Sequence, residues 1–396
     1  MGSKDTLYDV AVIGGGLSGL TLSCLLGQAG LSVVCLDQGT ADLPKNKDLR
    51  TTAISYGSRQ ILERAGIWQN LAADPCPIEN IQILDGSSSV LLNFLSSEVE
   101  DKSFGWILLN YDLRAAMLET LKSLKSVMHK PQTTITDFEV CADHVRCITD
   151  AGDVGARLVV GADGRGSFTR KWMGMPARQW SYNQRAVICT VSHSNPHNNV
   201  AVEHFWPEGP FAVLPMVDGE DGTHRSSVVF TEHGPESRSL MTFSDEEFET
   251  ALAARFPERY GDIKLIEPRA AYPLGLVHAA SYIGPRMALV ADAAHGIHPI
   301  AGQGLNLGFR DVGELAELLM QAHKNGEDVG SQELLETYQR RRRPDNMAMV
   351  AVTDGLNRLF SNNIPPVRLM RRAGLRLVSK IGPAKRFFMK QAMGDR

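Results

Sequence analysis

The sequence predicts a mixed α/β (α+β) chain that opens on a nucleotide-binding βαβ unit, and three observations predict it. An apolar, β-branched-rich run at 8–13 turns at Gly14-Gly15-Gly16 into an apolar helix from Leu17 to Gln28, and a second buried run at 31–36 ends on Asp37. Far downstream, apolar and polar residues alternate at 200–205 and 228–231, which marks an antiparallel sheet across about 186–231. From Leu334 onward the pattern is helical and basic.

Composition bounds what such a chain does. At 396 residues it can bury a large core and hold two or three domains. With 43% hydrophobic and 22% charged residues it has an ordinary globular profile, and a net charge of −4 offers no general attraction to nucleic acid. Cys24, Cys35, Cys76, Cys141, Cys147 and Cys189 are scattered with no C-x-x-C pair, a usage expected of reduced thiols rather than of a disulfide scaffold or zinc site. Asp5 and Asp9 interrupt any apolar run before Val10, so no signal peptide is expected, and no stretch reaches the roughly 20 apolar residues of a spanning helix.

Element by element, the first unit gives way at 78–94 to short strands with a turn at Gly86-Ser87. A helix is expected over 113–124, then strands around 140–148 and 156–160, a buried strand at 287–291 and a one-sided helix over 305–323. The Arg340–Arg343 run reads as a charged helix face that stops near Pro344.

Gly14, Gly16 and Gly19, with Leu17 and Ser18 between, match G-x-G-x-x-G. The first glycine allows the tight turn, the second lets backbone approach a pyrophosphate, and the third lets helix and strand pack closely. Asp37 stands where a carboxylate accepts hydrogen bonds from ribose hydroxyls. The fingerprint alone does not choose between FAD and a nicotinamide. Two later segments bear on that choice. Gly161-Ala162-Asp163-Gly164-Arg165-Gly166-Ser167 follows a strand, and Asp292-Ala293-Ala294-His295 leads into Pro299-Ile300-Ala301-Gly302-Gln303-Gly304.

With these three segments the chain resembles the class A single-component flavin monooxygenases of the para-hydroxybenzoate hydroxylase-like fold. Residues 298–308 with Asp311, together with 50–55, 110–114 and 354–360, resemble the signature of the ubiquinone-biosynthesis hydroxylases. The resemblance runs through essentially the whole chain. It implies a Rossmann-like FAD-binding domain in three parts (1–75, 101–180 and 276–330), an inserted antiparallel-sheet substrate domain (76–100 and 181–275) and a C-terminal helical region (331–396). It implies FAD as cofactor, with Arg50 and Arg114 near its phosphate or ribityl side, Asp163 supporting the nucleotide and Asp292 on the ribityl chain. Pro299, Gly302, Gln303 and Gly304 form the flavin-facing loop, whose backbone N–H groups, with Leu305 and Asn306 opening the helix, face the pyrimidine ring. The implied reaction is hydroxylation of the ring of a polyprenylated phenol or quinol precursor through a flavin C4a-hydroperoxide. O2 is the co-substrate, and NAD(P)H or an external electron carrier the reductant.

Other expectations are narrower. His295 and His298 have no third ligand nearby, so no metal is expected, and no general base is nominated. No second G-x-G-x-x-G and no C-x-x-x-x-C occur, which disfavours a disulfide reductase. From Arg368 to Arg396 the basic residues Arg371, Arg372, Arg376, Lys380, Lys385, Arg386 and Lys390 interleave with Leu369, Leu375, Leu377, Val378, Ile381, Phe387 and Phe388. Such a tail either lies on an anionic membrane or packs on the FAD domain. The expected location is cytoplasmic and peripheral to the inner membrane, in a homo-oligomer or a ubiquinone-biosynthesis complex. The alternatives are a flavin reductase or oxidase of a prenylated lipid, and a non-catalytic prenyl-binding protein on the same scaffold.

Overall fold

The computed structural model describes residues 7–41, 48–86, 90–99, 102–234, 239–298, 302–360 and 365–394, with the side chains at 365 and 367–370 left aside. Its helices are α1 (Leu17–Gln28), α2 (Tyr56–Arg64), α3 (Asn110–Ser123), α4 (Phe168–Trp172), α5 (Asp245–Ala253), α6 (Gln303–Asn325), α7 (Gln332–Phe360), α8 (Pro365–Lys380) and α9 (Gly382–Met393).

Strand Leu7–Ile13 lies at the centre of the first sheet. It pairs in parallel with Val154–Gly161 on one side and Val33–Leu36 on the other, and Met287–Leu289 and Val127–Lys130 extend the parallel run. The region expected as strand around 140–148 is an antiparallel hairpin, Ile135–Val140 with Val145–Thr149, carried on the edge of Val154–Gly161. A parallel sheet must be covered on its faces. On one face α1 does this, and it is buried all round (Ser18 through Gly27) because α3 and α6 pack over it.

The second sheet has nine strands and is mostly antiparallel. Ala177–His193 is its spine, paired with His224–His233 and Ala270–Ala279, and Val200–Trp206 joins Gly209–Pro215 to the early strand Asn80–Asp85. One face of this sheet packs Val187, Val202, Phe211, Val213, Val228 and Phe230 beneath α5, which a Ser244–Glu247 capping box starts. A third, three-stranded sheet (Thr51–Ser55, Gly105–Leu109 and Cys76–Ile78) stands between the two larger ones.

One expectation is overturned. The helix expected to stop near Pro344 runs unbroken from Gln332 to Phe360 with Pro344 inside it. An interior proline removes a backbone hydrogen bond and costs roughly 3 kcal/mol. Tertiary anchors on either side offset that cost: Tyr338 donates to the Leu289 carbonyl, and Arg342 and Asn346 both donate to the Asp311 carboxylate.

Candidate active site

The first sheet delivers the glycine turn to the head of α1. Gly14 has φ 107°, and a Cβ there would lie 2.6 Å from the Ala162 carbonyl oxygen. A Cβ on Gly19 would lie 1.9 Å from the Gly14 oxygen, and one on Gly15 2.3 Å from Asp37 Oδ2. Gly16 differs: a Cβ there would meet nothing within 4 Å. Gly16 is also the N-cap of α1, without a side-chain cap, so the first N–H groups of a buried helix face that open space.

Asp37 ends strand Val33–Leu36, where it accepts from the Gly39 N–H. Its Oδ2 lies 3.3 Å from Arg114 Nη2, and Arg114 also donates to the Gly15 and Thr40 carbonyls while its buried Nε has no hydrogen-bond partner. A cavity of about 650 Å³ opens beside this arginine, lined by Ala41, Tyr111, Leu118, Val127 and His129 among others.

The three separated motifs meet in space. On α6, a Cβ at Gly308 would lie 2.7 Å from Ala291 Cβ and 3.1 Å from Ser18 Oγ. The helix can therefore cross α1 and the 291–293 turn only because position 308 carries no side chain. Ala291 itself holds φ +53°, a left-handed conformation unfavourable for alanine. The Asp311 carboxylate accepts from its N–H at 3.1 Å and fixes the turn that presents Asp292. Asp292 is half-exposed and paired with Arg165 Nε at 3.2 Å. Arg165 also donates to the carbonyls of Gly275 and Ile297 and so links the two large sheets at this point.

The remaining expected residues take these places. Asp163 is consumed locally, accepting from Ser167 Oγ, Thr169 N and Thr169 Oγ1 at the start of α4. Arg50 pairs with Asp48 and lies 5.4 Å above the Tyr272 ring. Gly302, at φ 63°, caps α6 without a side-chain bond and faces Ala53. Gln303, Gly304 and Leu305 form the first turn. Asn306 spends its side-chain amide on Ser55 N and on the carbonyls of Ala53 and Gly302, so it holds the Thr51–Ser55 strand against the helix, and only its backbone is left for a ligand. Pro299 lies outside the described residues.

Two buried polar clusters support this site; the sequence singled out Asp311, His295 and His298 but not the partners that join them. In the first, Asp311 is fully enclosed and bonded to His295 Nε2, Arg342, Asn346 and the Ala291 N–H. Burial alone would raise its pKa, but the His295 and Arg342 charges and the Asn346 bond hold it well below the usual carboxylate range. In the second, His298 is fully buried, 3.4 Å from Gln184 Oε1 and edge-on to Tyr182, whose hydroxyl donates to Asp354. Burial, and then the Arg165 charge, push His298 down to about 4, so it is a neutral ring near pH 7. The 298–308 and 354–360 motifs each hold one member of this second group, His298 and Asp354, and nothing local joins them. Among the described residues no set of side chains is arranged to hold a metal ion.

This donor set fits FAD. The space at Gly16 with uncapped N–H groups suits a pyrophosphate, the unpartnered Arg114 Nε suits an anion, and Asp37 and Asp292 sit at opposite ends as acceptors for sugar and ribityl hydroxyls. Residues 7–353 match the family model described as FAD binding domain. The chain is 42% identical to the ubiquinone hydroxylase UbiL of Rhodospirillum rubrum, over 99% of this chain and 91% of that one. It is 32% identical to the 3-demethoxyubiquinol 3-hydroxylase of Escherichia coli, over 98% of each. The crystal structure of the p-nitrophenol 4-monooxygenase PnpA from Pseudomonas putida superposes with a TM-score of 0.80 at 21% identity, covering 99% of both chains.

Proposed function

The chain belongs to the FAD binding domain family, within the FAD-dependent hydroxylases of ubiquinone biosynthesis, and from that premise we propose that it hydroxylates the ring of a polyprenylated phenol. The observation that carries this reading is the 42% identity to a ubiquinone hydroxylase across 99% of the chain. FAD, when bound, supplies the redox chemistry that activates O2, with electrons from NAD(P)H or another carrier.

The protein's part is to bind, orient and exclude water. The α1 N–H groups at Gly16, Leu17 and Ser18, with Gly14 and Gly19 shaping the turn, take the pyrophosphate, and Asp37 takes the adenosine ribose. Arg114 and Arg50 serve the phosphate and ribityl side, Asp292 accepts from the ribityl hydroxyls, and Asp163 supports this stretch through α4. The backbone at Gly302, Gln303, Gly304, Leu305 and Asn306 turns its donors toward the pyrimidine edge. His298, neutral and enclosed, donates or accepts a hydrogen bond there without adding charge.

The substrate also bears on the tail. No helix among the described residues is long and apolar enough to cross a membrane. Yet among the described residues the two most exposed large apolar side chains are Phe387 (59%) and Leu377 (58%), with Phe388 and Ile381 beside them and Arg376, Lys380, Arg386 and Lys390 exposed between. A face of this kind suits an anionic bilayer surface from which a prenylated phenol would be drawn. It would place the enzyme at the membrane periphery, alone, as a homo-oligomer or within a biosynthetic complex.

The test is turnover of a long-chain prenylated phenol presented in phosphatidylglycerol-containing vesicles, against a short-chain soluble analogue. Replacing Phe387 and Phe388 together by serine should raise KM for the vesicle-borne substrate roughly tenfold and leave the soluble analogue unaffected. Equal effects on both, or none on either, would remove the membrane role. Failure of the unmodified enzyme on every prenylated phenol would remove the substrate class.

A further inference from the structure

The two faces of the nine-stranded sheet differ. Toward α5 Val187, Val202, Phe211, Val213, Val228 and Phe230 are buried, but on the opposite face Ile188, Val229, Leu214, Ile83 and Glu203 keep accessible surface. The register of Ile188 opposite Val229, Val229 opposite Ala212, Ala212 opposite Glu203 and Glu203 opposite Ile83 puts four of these in one row. This face looks toward the Thr51–Ser55 strand. Ser227, one row along, accepts from Thr51 Oγ1 at 2.6 Å, and Ala53 of the same strand packs against the apolar cluster that takes in Ala201, Ile83 and Leu214, with Gly302 beside it. The strand and loop assigned to the flavin therefore lie on Glu203's side of the sheet.

Glu203 stands in this apolar row two strands and one row from Ser227, roughly 12 Å at the usual strand spacing and rise. Among the described residues it makes no hydrogen bond and no ion pair. Other charges on this side are already matched: Asp85, in register with Phe205, is locked by Arg371 and Arg372 of α8, and Arg50 by Asp48. The strand Gly209–Pro215 contributes only Pro210, Ala212 and Leu214 here, and α9 contributes Met389 and Met393. A carboxyl in such surroundings is costly unless something binds to it.

The geometry points to Glu203 as the proton acceptor for the substrate's phenolic hydroxyl, an assignment that rests on the prenylated-phenol reading above. The Glu203 carboxylate takes the O–H proton, and the phenolate electron pair, delocalised to the ortho and para carbons, makes the new C–O bond with activated oxygen. O2 is the oxidant, and its second atom leaves as water with two electrons from the reductant. The dienone that results loses its ring C–H proton to solvent, while Glu203 returns its proton to the original oxygen and the ring becomes aromatic again. Burial pushes this carboxyl up to about 7, a value matched to a base working near neutrality.

The test compares the holoenzyme with Glu203→Gln and Glu203→Asp on a prenylated phenol. In the unmodified enzyme kcat should rise with pH through about 7, because the ionised form is the base. Glu203→Gln should lower kcat roughly a hundredfold, keep FAD content and hold KM within about threefold. It should also lose the inflection near 7, its rate climbing only as the phenol itself ionises. Glu203→Asp should recover part of the rate and the inflection. A Glu203→Gln enzyme with the original kcat, or with lower kcat and the same inflection, overturns the assignment. An unmodified enzyme that hydroxylates no prenylated phenol overturns instead the reading beneath it, so the two failures are told apart.

Discussion

Gly16→Ala should give a protein that folds as before and binds FAD at least about tenfold more weakly, whereas Gly19→Ala should lose both flavin and stability. The two glycines belong to one motif, but their surroundings differ. A Cβ at Gly19 collides with the Gly14 carbonyl oxygen at 1.9 Å, so the turn and α1 must separate. A Cβ at Gly16, where φ is −75° and suits alanine, meets no protein atom within 4 Å. Any cost of the Gly16 methyl group is therefore paid by the ligand alone. Melting of the flavin-free protein and titration with FAD separate the two cases. If Gly16→Ala binds FAD as the unmodified chain does, the pyrophosphate does not occupy that space.

Asp311→Ala should destabilise the protein by about 3–5 kcal/mol, because it removes the enclosed carboxylate that His295, Arg342, Asn346 and the Ala291 N–H all bond, and leaves Arg342 only Asp345 as an ion partner. Arg342 is almost fully enclosed and its Nε bonds Asp311 at 2.8 Å. Asp311→Leu combined with Arg342→Met should cost less than the two single changes added together, since each single change leaves one partner of the buried pair behind, although the combination also takes Arg342 from Asp345. The same carboxylate holds the Ala291 N–H and so the left-handed turn before Asp292. FAD affinity should therefore fall in Asp311→Ala even under conditions where the chain stays folded. The pH dependence follows from the direction of the shift: the folded pKa lies below the unfolded one, so the stabilisation is present above about 4 and is lost as pH falls below it. Denaturant unfolding of the unmodified chain, Asp311→Ala, the two single changes and their combination at pH 7 and at lower pH measures this. Equal stability of Asp311→Ala and the unmodified chain would contradict it.

How much of this was legible in the sequence depended on whether the signal was local. The βαβ unit was, and α1 begins and ends where its apolar run and Gly30 indicate, because strand, glycine turn and buried helix are adjacent in the chain. The meeting of the glycine turn with the 291–293 turn across α6 was legible only through the resemblance. Pro344 misled because its local cost is real, and what offsets it, Asp311, is more than thirty residues away in sequence. Arg165 reads as part of an Asp-Gly segment, and nothing local says that it reaches Asp292 across 127 positions. Glu203 looks like the outward polar residue of an alternating strand. Only the register with Gly209–Pro215 and Asn80–Asp85 reveals that it stands in an apolar row between Ala212 and Ile83.

That this protein uses FAD to place one atom of O2 on an aromatic ring is tested most directly by turnover of a prenylated phenol with the reduced, FAD-loaded protein under ¹⁸O-labelled dioxygen in ordinary water. The expected product is heavier by one labelled oxygen atom, with the second atom recovered in water. A product bearing unlabelled oxygen, or oxidation of the phenol with no oxygen gained, would contradict it.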